Sequence, residues 1–226
     1  MSSLQFLLKN TTNIKVLDAS IDLNDYASLD LSVKNDELAN LNLDNPIDFE
    51  NFIENWLKKN NAKVGYGGYC EKRNLYKNST IFKNEISEER NIHIGLDLWI
   101  KAGTKVLAAL DGKIHSFKFN EGIGNYGPTI VLEHNIENEI FYTLYGHLST
   151  KSIENIEIGT FLKKGQQIAI LGNSNENGNY SAHLHFQIIK NIENYSGDYP
   201  GVCSEKKLSF YLENCPDPAL LLNLER

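Results

Sequence analysis

The stretch Ile92-His93-Ile94-Gly95-Leu96-Asp97-Leu98-Trp99-Ile100 alternates strictly, isoleucine and leucine on one side, His93, Gly95, Asp97 and Trp99 on the other. A period of two marks a half-buried β-strand. If the apolar side meets a core, His93 and Asp97 project together from the opposite face. Gly95 between them has no side chain and leaves room for an ion. Working outward, residues 129–134, 141–145, 167–171 and 184–189 read as further strands. Asp111-Gly112, between the apolar runs 106–110 and 113–119, carries a hairpin signal. Lys101-Ala102-Gly103-Thr104-Lys105-Val106 is echoed by Lys163-Lys164-Gly165-Gln166-Gln167-Ile168, each entering a strand through a glycine turn. Two such glycine hairpins predict a mainly β fold, a compact antiparallel β-sandwich.

Residues 92–190 form this predicted β domain. Before it, residues 1–62 make an N-terminal appendage that ends in a helix. Asn45 can cap it, Pro46 suits its first turn, and Asp48 and Glu50 favour the positive end of its dipole. Phe49, Phe52, Ile53, Trp56 and Leu57 then fall on one stripe, expected to dock on the rest of the chain. A glycine-rich connection, residues 63–91, opens with Gly65-Tyr66-Gly67-Gly68-Tyr69. The C-terminal extension, residues 191–226, holds three of the five prolines and is expected to be irregular, with a short helical end at 218–222.

The 226 residues suffice for one well-buried domain with an appendage, or for two small domains. A formal net charge of −7 and scattered lysine pairs exclude a nucleic-acid partner, since phosphate binding needs a basic patch. No run approaches the roughly 20 apolar residues of a membrane helix, so no membrane insertion is expected. Residues 1–9 lack the form of a signal peptide, and Cys70, Cys203 and Cys215 are odd in number and widely spaced. The expectation is a cytoplasmic protein with free thiols.

The six histidines carry the chemistry. In Ala182-His183-Leu184-His185-Phe186-Gln187-Ile188, the two histidines share a face while Leu184, Phe186 and Ile188 turn to the core. Set beside the His93–Asp97 strand, they converge imidazoles and a carboxylate on one point. Neutral imidazole and carboxylate suit Zn²⁺, and three protein ligands with an open fourth position mark a catalytic site. His147, in Tyr145-Gly146-His147-Leu148, ends another strand and joins the set. A polar surface pair is the plain alternative for one His-x-His alone. His115 and His134 belong to no converging set and read as structural. Arg73 and Tyr145 could line a groove, though a solvated arginine and a packed tyrosine are the default.

Over roughly residues 90–190 the chain resembles the lysostaphin-type (LytM-like) zinc endopeptidases. The motifs are His93-Ile94-Gly95-Leu96-Asp97, Ala102-Gly103-Thr104-Lys105-Val106, Asp111-Gly112, Tyr145-Gly146-His147-Leu148-Ser149, Lys164-Gly165-Gln166 and His183-Leu184-His185-Phe186. The resemblance implies a small antiparallel β-sandwich, zinc ligated by His93, Asp97 and His185, and His147 and His183 as catalytic histidines. It implies a metallopeptidase whose substrate is peptidoglycan or a related peptide. Gln187 stands where the family often carries an acid. The flanks Gly68-Tyr69-Cys70-Glu71-Lys72-Arg73 and Cys215-Pro216-Asp217-Pro218 are similar to a branch in which this domain is fused between kinase-like and aminotransferase-like domains. That branch points to an intracellular substrate, a small amide or peptide. A non-catalytic binding module of the same fold is a further alternative, opposed by all five expected positions being filled. A cupin-like site would need an acid shortly after the His-x-His, where Ile188, Ile189 and Lys190 stand. A lipoyl-type carrier would need a tip lysine in place of Asn173-Ser174.

Overall fold

The computed structural model describes residues 3–38, 41–43, 45–75 and 89–225. Its strands, in chain order, are β1 (Tyr26–Ser28), β2 (Val64–Gly67), β3 (Glu71–Lys72), β4 (Ile92–His93), β5 (Leu96–Trp99), β6 (Lys105–Leu107) and β7 (Gly112–Asn120). They continue as β8 (Gly127–Ile136), β9 (Glu139–Gly146), β10 (Phe161–Leu162), β11 (Gln167–Ile170), β12 (His183–Ile189) and β13 (Val202–Cys203). Eight of them form one sheet in the order β1-β2-β5-β12-β9-β8-β7-β10, antiparallel except for the β1–β2 pair. Two smaller sheets, β11-β6 and β13-β4-β3, accompany it. Val106 of β6 and Ala169 of β11 join one buried cluster with Leu96, Leu98, Ile130, Leu132, Leu184, Phe186 and Ile188. The core therefore lies between the small β6–β11 sheet and the large one, and the chain is mainly β as its alternation predicts.

The echoed glycine segments lead into β6 and β11, and these pair with each other. Their flanks exchange matching bonds: Gly103 N–H donates to Leu171 O at 2.9 Å, and Gly165 N–H to Ala108 O at 2.8 Å. The tightest hairpin joins β8 to β9, where Ile136 faces Glu139 across a two-residue turn. Glu137 and Asn138 both take positive φ, 53° and 66°, as a type I′ turn requires.

Two sequence expectations change. Residues 92–100 are not one strand. Ile92 and Ile94 pack in a second cluster with Val131, Leu144 and Tyr199, whereas Leu96 and Leu98 pack in the main core. The chain passes from one sheet to another at Ile94-Gly95, and alternation alone cannot register a change of neighbours. Asp111-Gly112 likewise joins no hairpin, because β6 pairs with β11 and β7 with β8 and β10. It is a corner between sheets. A Cβ on Gly112 would lie 2.6 Å from both Glu133 O and His134 Nδ1, so only glycine fits there. His134 pins the corner: its Nδ1 is 2.9 Å from Asp111 O and its Nε2 is 2.7 Å from Thr143 Oγ1.

The described helices are α1 (Ser3–Asn10), α2 (Pro46–Lys59), α3 (Leu208–Asn214) and α4 (Ala219–Leu222). Helix α2 matches its sequence signals: Asn45 caps it through Ile47 N–H at 3.0 Å, and Phe49 and Ile53 are buried with Leu29, Leu31 and Trp99. The region before residue 92 contributes β1 and β2 to the large sheet, and the extension after 190 contributes β13 and α3 besides the foreseen helical end. Within the connection 63–91, residues 76–88 lie outside the described residues.

Burial pushes the His134 imidazole down to about 4. Its folded value lies below the unfolded one, so the unfolded chain binds more protons in acid. Stability present above about pH 6.5 is therefore lost as pH falls toward 4, by up to about 3 kcal/mol for this group. His134→Gln, which does not titrate, should flatten the acid limb in urea unfolding at pH 7, 6 and 5. Equal pH slopes in the two proteins would remove His134 as a cause.

Candidate metal centre

Strand β12 builds the site because it lies between β5 and β9 with all seven residues buried. Leu184, Phe186 and Ile188 fill the main core, which turns His183, His185 and Gln187 to the other face. The register sets His185 opposite Asp97 of β5 and Gly146 of β9, and His183 opposite Trp99. His93 arrives from β4, just before the sheet change. A Cβ on Gly95 would run into the His185 ring, so the space kept by that glycine belongs to an imidazole rather than directly to an ion.

Three acceptor atoms converge. His93 Nε2 lies 2.9 Å from His185 Nδ1, Asp97 Oδ1 lies 3.2 Å from His185 Nδ1, and Oδ1 lies 3.4 Å from His93 Nε2. These three residues are the one His/Cys/Asp/Glu group among the described residues whose atoms converge as a metal site would require. The opposite atom of each of the three side chains has its own partner. His93 Nδ1 is 3.0 Å from Gly68 O, His185 Nε2 is 3.0 Å from Gln187 Oε1, and Asp97 Oδ2 accepts from Arg73 Nη1. With the ring protons given outward, three lone pairs face one another in a buried space, and Asp97 Oδ1 has no hydrogen-bond donor among the described residues. Such an arrangement repels itself unless a cation lies within it. The residues present fit a metal ion.

Electrostatics agree. Burial opposes the charge on Asp97, yet the neighbouring His93 and Arg73 hold its carboxyl well below the usual carboxylate range. Burial pushes His93 down to about 4 against the pull of Asp97, which keeps it neutral and able to donate a lone pair at pH 7.

The other two histidines face the same space. His147 follows β9 with φ +62°, a left-handed conformation that costs a non-glycine residue and is common at functional sites. It is held there by its N–H on Tyr126 O, 2.9 Å, and by Gly172 N–H on its carbonyl, 3.0 Å. Its Nδ1 is 2.8 Å from Asn177 O, and His183 Nδ1 is 2.8 Å from Ser181 O. A carbonyl only accepts, so each ring holds its proton on Nδ1 and leaves Nε2 as the acceptor. His183 Nε2 is 3.8 Å from Asp97 Oδ1, and the two rings lie 4.3 Å apart. Burial pushes His183 down to about 4 and His147 well below the ordinary imidazole range, so both are neutral at pH 7. His183 stacks on Trp99 at 3.9 Å, and Phe49 of α2 meets Trp99 in a T-shaped contact at 5.3 Å. The appendage helix thereby braces a site histidine.

All five expected positions come together; His115 and His134 lie elsewhere, on Ser116 and in the Asp111 corner. Tyr145 is packed in the core as its default reading had it. Arg73 is not solvated: it is 2% exposed and bridges Asp97 to Glu71, whose other oxygen accepts from Leu31 N–H at 3.1 Å. No local sequence signal marks Arg73 as a partner of Asp97, 24 residues away. The site opens into a cavity of about 240 Å³ walled by Tyr126, Tyr180, Tyr195, Asp198 and Tyr199.

Residues 91–196 match the family model described as Peptidase family M23. An uncharacterized metalloprotease of Haemophilus influenzae is 34% identical over 95 residues, covering 42% of this chain and 18% of the relative. Lysostaphin of Staphylococcus staphylolyticus is 32% identical over 138 residues, covering 60% of this chain and 23% of the relative. The chain thus spans under a quarter of the length of these curated relatives. Among solved structures, the catalytic domain of the antimicrobial peptidase lysostaphin from Staphylococcus simulans aligns at 24% identity, with a TM-score of 0.40, over 67% of this chain and 93% of that one. His93, Asp97, His147, His183 and His185 all fall within the segment of the chain that matches peptidase family M23.

Proposed function

We propose that this protein is a zinc-dependent metallopeptidase of the M23 type, cleaving peptide bonds in peptidoglycan cross-links or a related peptide. The observation that carries the reading is the convergence of His93 Nε2, Asp97 Oδ1 and His185 Nδ1 on one buried point. Their separations of 2.9–3.4 Å suit a tetrahedral ion with bonds of about 2.0–2.1 Å, whose ligand atoms stand about 3.3 Å apart. Neutral imidazole and carboxylate favour zinc over the harder cations.

The chemistry that a bound zinc supplies is Lewis acidity, which polarises a carbonyl and acidifies water. His147 and His183 do the rest. Each presents an unprotonated Nε2 to the site, so each can take a proton from the attacking water and return it to the leaving amine. Once protonated, either one can face the oxyanion as a donor. Their backbone-held Nδ1 protons keep both rings aimed without reorganisation. Arg73 fixes Asp97 by one oxygen and leaves the other for the ion.

The similarity of the flanks to an intracellular branch, together with three unpaired cysteines, two of them buried, supports placing the working protein in a reducing cytoplasm. Among the described residues no helix is long and apolar enough to cross a membrane. An intracellular amide or small peptide is then the alternative substrate. A panel of synthetic cross-link peptides beside cytosolic amides decides between them, and hydrolysis of none by zinc-loaded protein would sink the catalytic reading.

Protein purified without chelator should carry about one zinc per chain by elemental analysis. Content near zero that added zinc cannot restore would refute the metal assignment.

Alanine at His93, Asp97 or His185 should remove zinc and activity together. Alanine at His147 or His183 should leave zinc bound and slow turnover by roughly 10²–10⁴-fold. Zinc stoichiometry measured beside the rate on all five variants separates the classes. Loss of zinc from His183→Ala with retention by His185→Ala would reverse the assignment within the pair.

A further inference from the structure

We infer that Gln187 is a positioning residue that selects the metal-binding tautomer of His185, and that Gln187 takes its own orientation from the C-terminal strap at residues 199–203. The inference rests on the zinc reading above and deepens it. Gln187 is fully buried on β12, two residues beyond His185 and on the same face. Its amide nitrogen lies 3.1 Å from Pro200 O and 3.2 Å from Cys215 Sγ, and its oxygen lies 3.0 Å from His185 Nε2.

The Pro200 carbonyl only accepts, so the amide must turn N–H toward it. That leaves the amide oxygen facing His185, and an oxygen without a proton cannot donate. His185 must therefore hold its proton on Nε2, which frees the Nδ1 lone pair beside His93 Nε2 and Asp97 Oδ1. The Tyr126 hydroxyl, 3.3 Å from the same His185 nitrogen, can donate or accept and does not decide the matter. A flipped amide would present N–H to Nε2, drive the ring proton to Nδ1 and block the ligand position.

The strap that orients the amide is itself well held. Ile94 N–H donates to Gly201 O at 2.9 Å, and β13 pairs with β4 in the register Val202 to His93 and Cys203 to Ile92. Arg90 grips Val202 O through Nε at 3.0 Å and Nη2 at 2.8 Å. Residues 199–203 lie outside the segment that matches peptidase family M23, so this control belongs to the chain's own extension.

The test uses the full chain and three variants. ¹⁵N-detected histidine tautomers are read in metal-free protein, zinc affinity by chelator competition, and folding by circular dichroism. The wild type should show His185 protonated on Nε2. Gln187→Glu keeps an acceptor toward His185, so the tautomer should persist and zinc should bind at least as tightly. Gln187→Met removes the acceptor; the tautomers should mix and zinc affinity should fall roughly 10–100-fold. Arg90→Ala loosens the strap at Val202 and should shift both readouts the same way by a smaller factor.

A folded Gln187→Met protein with wild-type tautomer and affinity would overturn the inference. Unchanged readouts in Arg90→Ala beside altered ones in Gln187→Met would overturn the strap's part in it. If the wild type binds no zinc, the metal reading fails, whereas the tautomer measurement, made without metal, still judges the role of Gln187.

Discussion

The placement of β12 between β5 and β9 is the constraint on which the rest depends. Each of Leu184, Phe186 and Ile188, buried on one face, contributes about 1.5–3 kcal/mol of apolar burial. A slip of one residue would turn all three out of the main core and put His183, His185 and Gln187 into it. The apolar demand on one face thus fixes the polar array on the other, although burying three such polar groups is unfavourable taken alone. Asp97 and His147 are then brought to that array by β5 and by the end of β9, paired on either side of it, and His93 by β4 of the small β13-β4-β3 sheet.

Much of the site was legible because strand periodicity is local. His183 and His185 share a face by a two-residue step, and the helix capped by Asn45 follows from its own residues. What stayed hidden depends on partners far along the chain. The alternation of residues 92–100 persists through a change of sheet, since Ile94 and Leu96 each find an apolar cluster, though different ones. Asp-Gly reads as a hairpin, yet Asp111 instead binds Lys164 N–H and Lys163 Nζ, and the corner closes against His134. Arg73 reaches Asp97 across 24 residues and Pro200 reaches Gln187 across 13, through contacts that no motif or spacing announces.

The histidines illustrate how a fold can set protonation without a charge. Gly68, Asn177 and Ser181 supply backbone carbonyls to His93, His147 and His183. A peptide oxygen neither titrates nor rotates, so these tautomers are as fixed as the loops that carry them. His185 is the exception, because its partner is a side-chain amide whose two ends differ only in their protons.

Strand β5 has β12 on one side and β2 on the other, and β2 in turn carries β1. Cutting the chain to the segment that matches the peptidase family would strip that second side away. The peptide groups of Leu96–Trp99 would then face water as an open edge, with Asp97 also deprived of Arg73. Exposed edges recruit other strands. An excised segment would thus be prone to stick to copies of itself, through an edge that the N-terminal strands cover in the whole chain.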